Sequence, residues 1–108
     1  MDLQGKKVMV LGLARTGSEA AQFLIRQGAE VLVSDCRSAA ELGSERESLS
    51  ALPVRFFLGG EETAWLGGVE LLVTSPGVAA ENLLLRGARE SGIDVWSEIE
   101  LAYRFLAV

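Results

Sequence analysis

The sequence predicts an α/β domain: a Rossmann-like doubly wound sheet of about five parallel strands with helices on both faces. Short apolar runs rich in branched residues alternate with segments whose apolar residues recur at helical spacing. Glycine, serine or proline stands at most of the boundaries between them. Continuous apolar strands are typical of a parallel sheet covered on both faces, and right-handed crossovers then favour the doubly wound order.

The apolar runs predict the strands. In chain order they cover residues 7–11, 30–34, 54–58, 70–74 and 94–96. Gly12 follows the first run, and Ser75, Pro76 and Gly77 follow the fourth. The Pro-Gly step favours a type II turn, in which the glycine takes a positive φ angle.

The amphipathic segments predict the helices. They cover residues 16–27, 82–91 and 97–106, with a weaker helix from Ser38 and a helical turn at 62–66. Side chains that bond free N–H groups should cap these helices, and glycines should end them. The expected caps and stops are Thr16 with Glu19, Ser38 with Glu41, Ser97, Gly28 and Gly92.

Length and composition indicate one small domain, residues 1–108, and not a complete multidomain enzyme. The net charge of −5 argues against a nucleic-acid partner, which usually requires a basic stripe. The single cysteine, Cys36, excludes an intrachain disulfide. No run approaches the ~20 apolar residues of a membrane span. We therefore expect a cytoplasmic protein without a membrane partner.

Three loops are candidates for ligand binding: residues 12–17, 35–37 and 75–77. Each follows a predicted strand, and ligands of doubly wound sheets bind at the carboxyl ends of strands, near the point where the strand order reverses. The question of function therefore reduces to these loops.

Residues 12–17 (GLARTG) form a G-x-A-x-x-G variant of the Rossmann dinucleotide fingerprint, between a predicted strand and a predicted helix. Gly12 permits a tight turn, and Gly17 permits close packing of the helix. The free N–H groups of the first helical turn and the helix dipole favour a phosphate. Ala14 stands where the backbone approaches the phosphates, so its methyl group should push a dinucleotide pyrophosphate outward. The alternative is a tight turn without a ligand.

Five side chains in these loops each allow two interpretations. Thr16 caps the helix or donates to a phosphate, and Arg15 screens phosphates or is simply solvated. Asp35 stands where NAD-binding domains carry a ribose-binding acid. With Arg37 it brackets a base or ribose, or the two form an ion pair on a surface turn. Ser75 belongs only to a turn, or its hydroxyl contacts a phosphate or a sugar.

The sequence offers no catalytic or metal-binding set. Because the chain has no histidine, Cys36 lacks a partner that would activate it. Glu61 and Glu62 follow two glycines and are expected to be solvated. No G-x-x-x-x-G-K-[ST] loop occurs, so the chain has no ordinary cradle for ATP phosphates.

Four segments resemble the Mur ligases that join D-glutamate to UDP-N-acetylmuramoyl-L-alanine. They are residues 5–17 (GKKVMVLGLARTG), 33–37 (VSDCR), 73–78 (VTSPGV) and 98–101 (EIEL). They fall in the family's order and spacing, and the resemblance covers essentially the whole chain. It implies the N-terminal domain that holds the UDP part of the substrate in an ATP- and magnesium-dependent ligase of cytoplasmic peptidoglycan synthesis.

By motif match, the resemblance also implies a binding site. Arg15 and Thr16 would lie at the diphosphate, residues 35–37 around the uracil, and residues 75–77 along the sugar-nucleotide side. The candidate residues are Ala14, Arg15, Thr16, Gly17, Asp35, Cys36, Arg37, Ser75, Pro76 and Gly77. Ala14 replaces the commoner glycine, and Cys36 stands where a hydroxyl residue can occur.

The resemblance assigns the ATP and D-glutamate sites to two further domains, which residues 1–108 lack. We therefore expect no catalytic residue, metal or cofactor in this chain, and the missing domains are its expected partners in cis. Two other functions stay open from the residues alone. An NAD(P)-binding regulatory or dehydrogenase domain is supported by the fingerprint and Asp35, and opposed by Ala14 and Arg37. A domain that serves only as an interaction surface would bind nucleotides weakly and without selectivity.

Overall fold

The computed structural model describes residues 2–13 and 15–106, apart from the side chains of residues 15, 16 and 106. Its centre is a sheet of five parallel strands in the order β3-β2-β1-β4-β5. The strands are β1 Lys7–Leu11, β2 Glu30–Asp35, β3 Val54–Leu58, β4 Leu71–Thr74 and β5 Asp94–Ser97. The strand order reverses between β1 and β4, so the predicted doubly wound sheet is confirmed.

Helices cover both faces of this sheet. They are α1 Arg15–Arg26, α2 Ala39–Leu42, α3 Ser44–Glu47, α4 Leu83–Glu90 and α5 Glu98–Leu106, with a 3₁₀ turn at Thr63–Leu66. Alternate residues of β1 point to opposite faces. Val10 belongs to one apolar cluster with Leu24 of α1 and Leu101 of α5, whereas Met9 belongs to another with Leu84 of α4. The two apolar clusters fix the sheet between its helices.

Short-range signals set several helix ends as predicted. Gly28 follows α1 with a φ of +83°. The Ser38–Glu41 capping box is present: the Glu41 carboxylate accepts from Ser38 N–H at 2.8 Å, and the Ser38 hydroxyl accepts from Glu41 N–H at 3.3 Å. Ser97 caps α5, because its Oγ accepts from Glu100 N–H at 2.9 Å.

Two helix predictions differ from the structure. Helix α1 begins at Arg15, so Thr16 is already helical and does not occupy the N-cap position; its side chain lies outside the described part of the chain. The weaker helix from Ser38 is divided into α2 and α3 by Gly43, whose φ of +54° interrupts the helical path.

The turn after β4 also differs. Val78 N–H donates to the Ser75 carbonyl at 3.1 Å, so a β-turn is present. Gly77 has no positive φ, and the predicted type II turn is therefore wrong. Ser75 N–H donates to the Leu11 carbonyl at 3.0 Å, which extends the pairing of β4 with β1. This bond holds the first residue of the turn to the sheet, a constraint that the Pro-Gly pattern does not contain.

Candidate functional site

A polar cleft of about 490 Å³ lies at the carboxyl end of the sheet, where the loops after β1, β2 and β4 meet. It is lined by Leu11, Gly12, Leu13, Asp35, Cys36, Arg37, Glu61, Ser75, Gly77, Val78, Ala79, Glu81 and Asn82. The cleft therefore brings together five predicted site residues, from residues 35–37 and from Ser75 and Gly77. Its location at the β1–β4 switch is the one expected for a ligand of a doubly wound sheet.

The other predicted site residues have different surroundings. Gly17 is buried. Pro76 lines a separate groove and is not among the residues that line the cleft. Arg15 and Thr16 open α1, but their side chains, like the whole of Ala14, lie outside the described residues.

Gly12 is required by its backbone and by its neighbours. Its φ is +93°, and a Cβ at this position would lie 2.9 Å from Val78 Cγ2 and 3.0 Å from Ser75 Cβ. The loop after β1 and the loop after β4 therefore pack against each other with no room for a side chain. This contact closes the floor of the cleft at the switch point.

Gly17 permits the close approach that the fingerprint predicts. A Cβ built on Gly17 would overlap the carbonyl oxygen of Gly12, which is backbone and cannot rotate away. The first turn of α1 therefore lies directly on the loop after β1. This packing directs the amino end of α1 to the carboxyl edge of the sheet, where its free N–H groups favour an anion.

Asp35 is bonded to the glycine-rich loop through its carboxylate. Asp35 Oδ2 accepts from Leu13 N–H at 2.8 Å and from Arg37 Nη2 at 2.9 Å. Asp35 Oδ1 accepts from Arg37 N–H at 2.9 Å and from Arg37 Nε at 3.1 Å. Arg37 Nη2 also donates to the Leu13 carbonyl at 3.1 Å. The three residues form one unit, the Asp35–Arg37–Leu13 clamp, which joins the loop after β2 to the loop after β1.

The clamp keeps Asp35 ionised although its side chain is only 5% exposed. Burial raises the pKa of Asp35, whereas the hydrogen bonds from Arg37 and Leu13 and the charge of Arg37 lower it. The lowering effects together are larger, so the pKa lies below its ordinary value of 3.8. The bond to Asp35 in turn raises the pKa of Arg37. The ion pair that the sequence left open is therefore present, with a buried carboxylate and a fixed guanidinium, and both partners are also bonded to Leu13 of the loop after β1.

Ser75 is buried at the opposite side of the same cleft, and its hydroxyl accepts from Gly77 N–H at 3.4 Å. Cys36 is exposed and carries a free thiol beside Arg37. The cleft thus offers a hydroxyl on one wall, a fixed guanidinium on the other and a helix amino end near its floor. These groups suit a ligand that carries phosphate and polar ring or sugar atoms.

Residues 6–97 match the model of one protein family, described as Mur ligase MurD-like, N-terminal domain. The chain belongs to this family. The matched range includes all three loops and every residue of the clamp.

Two relatives agree with this assignment, and one solved structure shares the fold. The chain is 45% identical over 98% of its length to the UDP-N-acetylmuramoylalanine–D-glutamate ligase of Trichlorobacter lovleyi, and 43% identical over its whole length to that of Geobacter metallireducens. It spans 24% of the length of each of these relatives. The fold resembles that of UDP-N-acetylmuramate-alanine ligase from Thermotoga maritima, with a TM-score of 0.79 over 94% of this chain and 23% of that one, at 16% identity.

Part of the cleft of this MurD-like domain was not predicted from the sequence. Glu61 is half-buried and not simply solvated, because its Oε1 accepts from Leu83 N–H at 2.7 Å. Asn82 Oδ1 accepts from Leu84 and Leu85 N–H at 2.9 and 3.2 Å. The two side chains cap α4 together and form the outer wall of the cleft. An asparagine before an apolar helical segment is a recognisable capping signal, whereas the role of Glu61, 22 residues before Leu83, has no local signal.

The MurD-like domain has a second groove, between α1 and α5, of about 500 Å³. Phe23, Ile99 and Phe105 contribute to a lining that is almost wholly apolar. Phosphate and sugar groups need polar partners, so the cleft and not this groove is the candidate nucleotide site. No helix among the described residues is long and apolar enough to cross a membrane.

Proposed function

We propose that this chain is the domain that binds the UDP part of UDP-N-acetylmuramoyl-L-alanine in an ATP-dependent ligase that adds D-glutamate during cytoplasmic peptidoglycan synthesis. The observation that carries the proposal is a polar cleft at the β1–β4 switch, inside the range that matches the MurD-like family. Relatives of this chain bear the name of that ligase over about four times its length. In this proposal residues 1–108 are the N-terminal domain, and the remaining domains belong to the parent protein.

The roles of the site residues follow from their surroundings and from the family motif. The diphosphate binds at the amino end of α1, near Arg15 and Thr16. The uracil lies against Asp35, Cys36 and Arg37, where the fixed guanidinium supplies a planar polar surface. The sugar side of the ligand runs along residues 75–77, beside the Ser75 hydroxyl.

ATP and magnesium bind elsewhere in the parent protein under this proposal. Within residues 2–13 and 15–106, no group of three or more acidic, cysteine or histidine side chains is arranged to hold a metal ion. The sequence also carries no phosphate cradle of the G-x-x-x-x-G-K-[ST] type. In this proposal the chain positions substrate, and residues outside it carry out the chemistry of amide formation.

An amide-shift titration of the 108-residue chain tests the binding role. UDP-N-acetylmuramoyl-L-alanine is expected to shift residues 12–17, 35–37 and 75–77, while an equal concentration of NAD leaves them nearly unchanged. Gly5, Gly28 and Gly68 precede β1, β2 and β4, at the far edge of the sheet, and serve as internal controls.

Either of two results would contradict the binding role. Tighter binding of NAD at the same loops would identify a dinucleotide domain. Weak shifts of equal size with every nucleotide would identify a domain that acts only as an interaction surface.

The chain by itself is expected to catalyse no ligation, because the proposal places the ATP site on other domains of the parent protein. Phosphate release is measured with ATP, magnesium, D-glutamate and UDP-N-acetylmuramoyl-L-alanine, and the full-length ligase of Geobacter metallireducens is the positive control. Release that needs all of the substrates and survives purification of the chain to homogeneity would show that the catalytic assignment is wrong.

A further inference from the structure

The Asp35 carboxylate has no acceptor capacity left for a ligand. A carboxylate offers about four lone-pair sites. Leu13 N–H fills one of them at 2.8 Å, and Arg37 fills three through its N–H, Nε and Nη2 at 2.9, 3.1 and 2.9 Å. The group is also buried, with 5% of the side chain exposed. A ligand hydroxyl would have to displace one of these donors.

Nicotinamide-dinucleotide domains use the acid at this position in another way. There the acid at the end of the second strand accepts a hydrogen bond from the ribose hydroxyl of the dinucleotide. Asp35 ends β2 as that acid does, but its bonds run to the protein. Bonds between charged partners are about twice as strong as neutral ones, so a ribose hydroxyl does not replace Arg37 at equal cost.

The same bonds fix the loop that approaches the phosphates. Leu13 donates its N–H to Asp35 and accepts from Arg37 at its carbonyl, at 2.8 and 3.1 Å. The N–H and the carbonyl of this buried residue are therefore both held by side chains of the loop after β2. Gly12, the residue before it, is packed against Ser75 and Val78 from the β4 side. The path of the loop into α1 therefore depends on the clamp.

We propose that Asp35 and Arg37 are a specificity-determining pair. They orient the loop after β1 through Leu13, and their mutual hydrogen bonds leave the Asp35 carboxylate unable to accept from the ribose hydroxyls of a dinucleotide. The inference rests on the proposed function, since it explains how the cleft prefers a uridine nucleotide to NAD. Asp35 is in this view a positioning residue that acts through Arg37 and Leu13. Both residues line the cleft, and Arg37 is the more exposed of the two, with 42% of its side chain exposed against 5% for Asp35.

The Arg37→Met variant tests the pair, with UDP and NAD as the probes. Methionine keeps much of the length of the side chain but donates no hydrogen bond, so Asp35 regains two acceptor sites. The wild-type chain is expected to bind UDP at least about tenfold more tightly than NAD. In the variant, the ratio of the dissociation constant for NAD to that for UDP should fall about tenfold. The ratio of two dissociation constants from one sample is unaffected by the fraction of folded chain, because that fraction divides out.

Two further variants complete the experiment. Arg89→Met makes the same change on the exposed carboxyl end of α4 and should leave the ratio within about twofold of wild type. Arg37→Lys keeps the charge without the two-pronged geometry and should give an intermediate ratio. If Arg37→Met does not fold, Arg37→Lys by itself tests the pair.

The outcomes separate the two proposals. A wild-type chain that binds NAD more tightly than UDP overturns the proposed function and the selectivity with it. A wild-type chain that prefers UDP, with a ratio unchanged in both Arg37→Met and Arg37→Lys, leaves the proposed function standing and overturns the role of the pair.

Discussion

Replacing Gly12 with alanine is expected to destabilise the fold by about 3 kcal/mol and to abolish measurable nucleotide binding. At a φ of +93°, an alanine bears a backbone strain of about 1–2 kcal/mol. Its Cβ would also lie 2.9 Å from Val78 Cγ2 and 3.0 Å from Ser75 Cβ, and overpacking of this kind typically costs about 1–3 kcal/mol. Relief of the clash would move the turn after β4 and so deform the cleft. Urea unfolding measures the first effect and UDP titration the second.

The Gly92→Ala variant is the matched control for this substitution. Gly92 has a φ of +77°, and a Cβ added there would meet nothing within 4 Å, so alanine bears the strain without the clash. We expect a loss of about 1 kcal/mol and unchanged binding of UDP. If the two variants differ in free energy of unfolding by less than about 0.5 kcal/mol, Ser75 and Val78 yield to the new methyl group and their close packing on Gly12 adds nothing to the cost.

The sheet could be predicted because its signals are local. The predicted limits of β1 and β3 coincide with the observed ones, and the other strands differ by one residue at one end. When glycine or serine bounds an apolar run, these neighbouring residues mark where the strand begins and ends. The Ser38–Glu41 capping box was predictable for the same reason, since both partners lie within one turn of chain.

The candidate site was predictable by location and less so by interaction. Ligands of doubly wound sheets bind at the carboxyl ends of the strands, and this rule identifies the loops that line the cleft. Asp35, Arg37 and Ser75 lie in these loops. The bond from Leu13 N–H to Asp35, which spans 22 residues, has no signature in either segment. From the sequence, Asp35 could therefore be a ligand contact or part of a surface ion pair; in the structure it is the buried member of that ion pair and the centre of the clamp. Non-local bonds of this kind appear only when the fold brings the loops together.

In the Pro-Gly turn, the local pattern does not decide the conformation. Pro76 and Gly77 favour a type II turn by their own preferences, yet Gly77 has no positive φ. The bond from Ser75 N–H to Leu11 extends the ladder between β1 and β4 into the turn. A turn attached to the sheet in this way takes the conformation that the sheet allows.

Replacing Asp35 with asparagine is expected to cost about 3 kcal/mol at pH 7, and the loss should shrink in acid. Asparagine retains the shape, but its amide nitrogen cannot accept the hydrogen bonds that one carboxylate oxygen accepts, and Arg37 loses its counter-charge. The pKa of Asp35 in the folded chain lies below the ordinary value of 3.8, so the folded state favours the ionised form. The stabilisation is therefore complete well above pH 3.8 and disappears as the pH falls through the lowered pKa of the folded chain.

Urea unfolding of the wild-type and Asp35→Asn chains at neutral and acid pH measures this dependence. Asp94→Asn removes a carboxylate from the exposed start of β5 and should change the free energy of unfolding by less than about 0.5 kcal/mol at neutral pH. A loss in Asp35→Asn that is equally large at pH 7 and at a pH below the lowered pKa of Asp35 would mean that shape, not charge, holds Leu13. In that case the loop before α1 would be oriented by a neutral hydrogen bond. The clamp would then be stabilised by packing and neutral hydrogen bonds, and not by the charge of the Asp35 carboxylate.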